Sequence, residues 1–592
     1  MTVRLRKGCE YLLADIGPDE VFTPEEFSLE QKQIAETTEQ FVHNEILPHA
    51  EAIEHQDFTK VVAGIRKAGE LGLLMIDVPE VYGGLELDKA TSMLVAEKIG
   101  PSASFSVAFA AHTGIGTLPL IYYGTQAQKE QYLGKLMSGE VIGAYCLTEP
   151  GSGSDALAAR ATATLSADGQ YYLLDGTKQF TTNGGFADLF TIFAKIDKEH
   201  FTAFLVERSF PGVSIGPEEK KMGIKGSSTT QVILDQAQVP VANLLGEIGK
   251  GHKIAFNVLN VGRFKLGACV TGAAKYALAH ALKYANERKQ FGQPISHFGA
   301  IREKLADMTA DIYAAESLVY RLAGLLDSSL AAIPKGGEHY YEEYQKGIEE
   351  YAGECAISKV FCSEALSRVV DEVVQVFGGY GFVSDYPAER FYRDERINRI
   401  FEGTNEINRM LIPGMLLRKA QKGELPLQQA SLKAFEGLMT PSFEELDESD
   451  PLAREKVLIK NLKTLFLVLA GAAAQKFGAQ LQHEQELLLV CADLAIWIFA
   501  LESAVLRTAK ALPTASAEKR ALFLAATTVV AFSAAEHCGS AGRKAAVYIE
   551  EGDTLTMLLS GVRRFSRYDA AGLLAAKRLL ADAASNKETY LF

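Results

Sequence analysis

The chain has 592 residues, 48 % of them hydrophobic and 23 % charged, a composition that supports several globular domains with large cores. Its formal net charge of −14 repels phosphate backbones and anionic lipid, which argues against nucleic-acid binding. The seven cysteines (Cys9, Cys146, Cys269, Cys355, Cys362, Cys491 and Cys538) show no C-x-x-C spacing, so no structural metal is expected and a reducing compartment is. Residues 1–20 carry no apolar stretch followed by a cleavage site. The longest apolar run, residues 521–535, is interrupted by Thr527, Thr528 and Ser533 and falls short of the roughly 20 residues that cross a bilayer. The expectation is a cytoplasmic, bacterial protein.

Residues 29–46, 58–73 and 89–99 carry apolar residues at helical spacing, separated by Pro79, Gly83-Gly84 and Pro101. The texture changes near Val141. Alternation over 161–165, an Asp168-Gly169 turn, a strand at 171–174 and a second turn at Asp175-Gly176 open a β region. Strands are expected at 179–182, 189–196, 201–206 and 231–234. Long helices follow at 253–287, 296–326, 340–376 and 406–420. Residues 421–451, with Pro426, Pro441 and the acids Glu444, Glu445, Asp447, Glu448 and Asp450, read as a connector before a further helical region at 452–592. The fold class is α+β, mainly α, with domains at 1–140, 141–250, 251–420 and 452–592.

Five segments stand out chemically. Residues 145–155 (YCLTEPGSGSD) leave a strand as a loop of glycines and hydroxyls, which lets backbone approach a ligand closely. Alone, the same loop reads as a polar turn. Residues 179–185 (QFTTNGG) place an aromatic beside hydroxyls. Residues 287–292 (ERKQFG) end a helix with cations, suited either to the helix dipole or to a phosphate held by Arg288. Residues 375–381 (QVFGGYG) put three glycines past a helix end, where a cap accounts for one, which suggests that something packs against bare backbone. Residues 400–408 (IFEGTNEIN) set Glu402 between apolar neighbours, just before a helix capped by Thr404 or Asn405 with Ile407, Met410, Leu411 and Met415 on one face. An apolar pocket would raise the proton affinity of Glu402 and suit it to act as a base; a capping carboxylate is the alternative.

These segments, in this order and spacing, resemble the acyl-CoA dehydrogenase family over residues 27–420, and the extra helical region resembles its very-long-chain branch, as do residues 220–225 and 259–264. The resemblance implies FAD as cofactor, a four-helix bundle at 251–420, and Glu402 removing the α-proton while a hydride leaves the β-carbon for flavin N5. Hydrogen bonds from the backbone N–H of the base and the flavin ribose would hold the thioester oxygen. The product is a trans-2-enoyl-CoA in fatty-acid β-oxidation, with electrons passed to an electron-transfer flavoprotein. It further implies that Tyr145, Leu147, Thr148, Gly153 and Ser154 line the flavin, with Ser154 also near substrate. Phe180 would cover the flavin face where many members carry Trp, and Thr182 would approach N5. Arg288, Phe291, Gln375, Gly378 and Gly379 would hold its pyrophosphate and adenosine side across a subunit interface, and Thr404 and Glu406 would complete the site. Arg263, with Asn260 nearby, would bind CoA, and Gly403 would lie beside the thioester. Some branches carry the base just before this arginine; that position is Gly262 here. Gly114 and Gly116 either deepen the acyl pocket or serve helix packing. The last region would make the protein a homodimer, contact a membrane, or simply bury its own apolar faces. An acyl-CoA oxidase and a non-catalytic flavoprotein scaffold are the rival readings.

Overall fold

A computed structural model describes residues 5–337, 339–439 and 446–592; Pro441, Glu444 and Glu445 of the acidic connector lie outside them. The N-terminal helices are α1 (Leu29–Phe41), α2 (Ala50–Glu54), α3 (Phe58–Glu70), α4 (Lys89–Ile99), α5 (Ser104–Ala110), α6 (Leu118–Tyr123) and α7 (Gln126–Ser138). Local chemistry sets their starts. Ser28 and Gln31 exchange side-chain and backbone hydrogen bonds in a capping box on α1, and Thr125 and Gln128 do the same on α7. Between α5 and α6 the chain widens into a π-turn at Ala111–Gly116.

The β region is one eight-stranded sheet: β1 (Gly143–Cys146), β2 (Thr162–Leu165), β3 (Tyr171–Thr182), β4 (Leu189–Ile196), β5 (His200–Glu207), β6 (Val213–Ile215), β7 (Thr229–Pro240) and β8 (Leu244–Leu245). The order is β6-β7-β3-β2-β4-β5-β8, and β1 pairs in parallel with β4. The expected turn at Asp175-Gly176 is absent, and β3 runs through it as one 12-residue strand. Gly176, at φ +146°, pairs with Leu234 beside a bulge in β7 at Asp235–Gln236, and a Cβ on it would lie 2.8 Å from that of Ala161.

The helices that follow are α8 (Gly251–Glu287), α9 (Gly299–Ala331), α10 (Tyr340–Glu349), α11 (Ala352–Phe377), α12 (Ala388–Glu395) and α13 (Asn405–Gln421). A short hairpin of β9 (Lys289–Gln290) and β10 (Gln293–Pro294) joins α8 to α9. The helix expected over 340–376 is interrupted at Glu350, whose backbone carbonyl accepts from Lys419 Nζ at 3.3 Å, a side-chain donor from outside the helix. The connector contains a helix, α14 (Leu427–Met439), with Ser431 packed on Gly471. The last helices are α15 (Ala453–Phe477), α16 (Gln485–Ala511), α17 (Ala517–Ile549), α18 (Gly552–Phe565) and α19 (Leu573–Lys587). They do not merely bury their own faces: Leu494, Ile498 and Leu501 join Tyr313, Ile357 and Leu416 in one continuous core.

Among the described residues, four helical stretches, Ser104–Tyr123, Ala453–His483, Gln485–Ala511 and Ala517–Ile549, are long and apolar enough to cross a membrane, contrary to the expectation from the longest unbroken apolar run. Between 56 % and 83 % of their most apolar windows is buried inside the fold, so protein rather than lipid covers most of that surface.

Helices α4 and α8 cross closely at glycines. A Cβ on Gly272 would sit 1.8 Å from the carbonyl oxygen of Glu97, and one on Gly100 would sit 2.1 Å from that of Cys269. Gly272→Ala must therefore push the two helices apart, at a cost of about 1–3 kcal/mol. A thermal melt of the variant should show a lower midpoint; an unchanged midpoint would mean that the crossing is not tight in solution.

Candidate active site

The loop before α13 is built around Glu402. Its φ of +57° is unusual for a residue with a side chain, and Gly403 follows at +82°. Several donors hold this conformation from outside. Asn408 Nδ2 donates to the carbonyls of Glu402, Gly403 and Thr404 at 3.3, 2.8 and 3.1 Å. Lys359 Nζ donates to the Gly403 carbonyl at 2.8 Å and to Asn405 Oδ1 at 2.6 Å, and Arg263 Nε reaches the Glu402 carbonyl at 3.4 Å. Thr404 caps the helix by accepting from Ile407 N–H. The inward face of α13 is Asn408, Ile412, Met415 and Leu416; Ile407, expected inside, is exposed because the polar side of the helix start is used to hold the loop.

With the backbone fixed, the carboxylate projects into a cavity of about 1040 Å³, counting its open mouth. Thr182, Gly262, Leu266 and Phe401 line it beside Glu402; Val95, Ile99, Phe109 and Gly114 line its apolar depth. Oε2 of Glu402 is shut off from solvent and has no hydrogen-bond partner. Burial raises the carboxyl to about 7, against the opposing pull of Arg263 and Lys359. Gly262 is there for space: a Cβ would lie 2.5 Å from Glu402 Oε2. On one wall Asp77 accepts from Ser92 and Lys265 at 2.9 and 2.5 Å and pairs with Lys89, whose charges hold it well below the usual carboxylate range. Of the two doubtful glycines, Gly114 faces open space and gives depth, whereas a Cβ on Gly116 would meet Gly143 at 2.8 Å, so Gly116 serves packing against β1.

The other expected residues fall into two groups. Near the cavity, the loop after β1 meets the end of β3, where Gln179 N–H donates to the Thr148 carbonyl at 2.8 Å. Tyr145 is buried, Leu147 and Thr148 are half-buried, and Gly153 and Ser154 are exposed. Beneath this loop Lys178 and Glu149 form a buried ion pair at 2.6 Å, and Glu149 also accepts from the backbone N–H of Arg160 and Ala161. A register shift between Lys178 and Thr181 leaves Phe180 at φ +57° and 61 % exposed, an aromatic face presented rather than packed. Asn260 Oδ1 accepts from Arg263 Nη1 at 2.9 Å, both buried, while Glu406 points to solvent. The second group lies elsewhere. Arg288, Phe291, Gln375, Gly378 and Gly379 gather where α8 and α11 end, joined by Tyr284 stacked on Phe377 at 4.1 Å and by Arg288 over Tyr380. Gly262 and Glu287 are separated along α8 by roughly 38 Å at 1.5 Å per residue.

Sequence reading missed Lys359, Asn408 and the Glu149–Lys178 pair. A lysine inside the apolar run of α11, completely buried in the structure, was the available signal for the first.

Family models of the acyl-CoA dehydrogenase N-terminal domain match residues 28–140, of the middle domain 144–237, and of two C-terminal domains 249–416 and 461–564. A probable acyl-CoA dehydrogenase of Bacillus subtilis is 48 % identical over 99 % of this chain and 98 % of its own length. The very long-chain specific acyl-CoA dehydrogenase of Rattus norvegicus mitochondria is 38 % identical over 76 % of this chain and 71 % of its own. A crystal structure of an acyl-CoA dehydrogenase complexed with FAD from Bacillus anthracis superposes with a TM-score of 0.97, at 50 % identity, over 99 % of this chain and 100 % of that one. The chain belongs to the acyl-CoA dehydrogenase family and is an oxidoreductase.

A buried carboxylate that titrates near 7 disfavours the folded state when charged. Its folded value lies above the roughly 4.3 of an unfolded glutamate, so its contribution to stability falls as pH rises through that interval. Glu402→Gln should therefore raise the melting temperature relative to the parent, and by more at pH 8 than at pH 5. Equal differences at both pH values would show that the carboxylate is not desolvated.

Proposed function

We propose that this chain is an FAD-dependent acyl-CoA dehydrogenase that oxidises saturated, long-chain fatty acyl-CoA to trans-2-enoyl-CoA in β-oxidation, with Glu402 as the base. The observation that carries this reading is the Glu402 carboxyl, its Oε2 shut off from solvent without a partner, in a cavity lined mainly by apolar side chains. The residues present suit a flavin. Cβ atoms at Gly151 and Gly153 would meet nothing, leaving backbone free to approach a ring, and Phe180 and Thr182 end β3 beside that loop. When bound, FAD supplies the hydride acceptor. The chain supplies the rest: Glu402 takes the α-proton into a carboxyl that accepts it readily near neutral pH, the buried Arg263–Asn260 pair holds the base loop, and the apolar walls exclude water from the reacting carbons.

The distance between the two groups of flavin-type residues supports a homodimer in which the ends of α8 and α11 of one copy complete the other copy's site. The bacterial relatives support a cytoplasmic setting, and an electron-transfer flavoprotein is the proposed acceptor. Substrate length is supported by the open space at Gly114 and by the likeness to the very long-chain enzymes.

Anaerobic addition of acyl-CoAs of graded length to the yellow protein tests this. Bleaching is expected, strongest with long chains, with slow recovery in air; rapid recovery in air would mean an oxidase. Glu402→Gln should keep its flavin and lose bleaching by at least about 100-fold, and near-parental bleaching would show another base. Gly114→Leu should shorten the preferred chain while short substrates react normally; an unshifted preference would place the tail elsewhere.

A further inference from the structure

The last helices reach the catalytic loop through a continuous run of polar contacts. Asp493, on α16, accepts from Arg409 Nε at 2.7 Å. Arg409, on α13, also grips Glu364 of α11 with both terminal nitrogens, at 2.7 and 2.9 Å. Glu364 accepts from Asn405 Nδ2 at 2.9 Å, and Asn405 turns its Oδ1 to Lys359 Nζ at 2.6 Å. Lys359 in turn holds the Gly403 carbonyl, one residue from the base.

Each link has one workable polarity. Ionised Glu364 is acceptor-only, so it fixes which end of the Asn405 amide faces it; the amide oxygen is then left for Lys359. Lys359 is wholly buried, and burial lowers its ammonium to about 7 against the pull of Glu402, while its position depends on that oxygen. Arg409 has a planar fork that grips the two oxygens of Glu364 while its Nε–H remains for a second partner, which is Asp493. The charged groups around Glu402 are Arg263 from α8 and Lys359 from α11; those around Arg409 are Glu364 from α11 and Asp493 from α16, and Arg368 also acts on Glu364.

We infer that Asp493 is a positioning residue for the base: the C-terminal helical region sets the orientation and proton affinity of Glu402 through Arg409, Glu364, Asn405 and Lys359. This deepens the reading of Glu402 as base and rests on it. Loss of Asp493 leaves Arg409 held on one side only. The Glu364–Asn405–Lys359 run then loosens, the lysine no longer lowers the carboxyl's proton affinity fully, and the acid limb of the reaction moves to higher pH.

The test compares the parent, Asp493→Ala and Lys577→Met, all carrying FAD. Lys577 pairs α19 with Glu303 and Asp307 of α9, far along the chain from the base loop, and serves as a control for simply breaking an ion pair between the C-terminal region and the bundle. Asp493→Ala removes the acceptor of Arg409 Nε and should slow single-turnover flavin reduction about 3- to 10-fold with KM for acyl-CoA little changed. It should also raise the acid-limb midpoint by about half a pH unit and speed amide hydrogen exchange in residues 400–408. Lys577→Met should leave that limb and that exchange as in the parent. Lys359→Met should move the limb further in the same direction. The inference is overturned if Asp493→Ala keeps the parental limb and exchange, or if Lys577→Met changes them equally. If instead Glu402→Gln reduces its flavin normally, the base assignment itself fails, which is a separate result.

Discussion

The arrangement depends on one carboxyl kept without a partner. A buried carboxylate ordinarily acquires hydrogen bonds or protonates, because charge in a poorly solvated site is expensive. Here the surrounding donors are spent on the backbone of the same loop. Asn408, Lys359 and Arg263 bind the carbonyls of Glu402 and Gly403 rather than the carboxylate. The loop is thus held by the groups that would otherwise satisfy the base. Rigidity and reactivity come from one set of contacts.

That division also explains the packing around the site. Helices α4 and α8 approach until glycine carries the contact, bringing the cavity walls together beneath Glu402. The π-turn after α5 widens the chain where depth is needed, with Gly114 open to the cavity and Gly116 pressed on the sheet. The sheet contributes Thr182 and the bulged Phe180 at a strand end, stiffened from below by the Glu149–Lys178 pair. Three regions of sequence therefore meet at the mouth of one cavity, and the last helices share a core with the bundle that carries its back wall.

Much of this was legible in residue order. Glu402 stood out as a carboxylate between Phe401 and Gly403 ahead of a cap, where a base and a capping group read alike, and the order of the other segments tipped the reading toward a base. The alternation of helical and β texture marked the major regions, since amphipathic period is a local property. Errors arose where a neighbour overrode local preference. Asp175-Gly176 is turn chemistry, but pairing with β7 keeps it extended opposite a bulge in that strand. The proline-bearing connector hides α14, because Ser431 and its neighbours find a surface on α15 that the segment does not announce. Lys359 showed only as a charge in an apolar run, because its meaning lies in a carbonyl more than forty residues away.

Gly262 carries a consequence for how such an enzyme can change. The space that a side chain there would need is already taken by Glu402 Oε2. A side chain at 262 and the Glu402 carboxyl compete for one volume, so anything larger than glycine there displaces the carboxyl from the place it now holds. A base carried on α8 would therefore need a smaller or re-aimed residue at 402, and the two positions can exchange the role only as a pair.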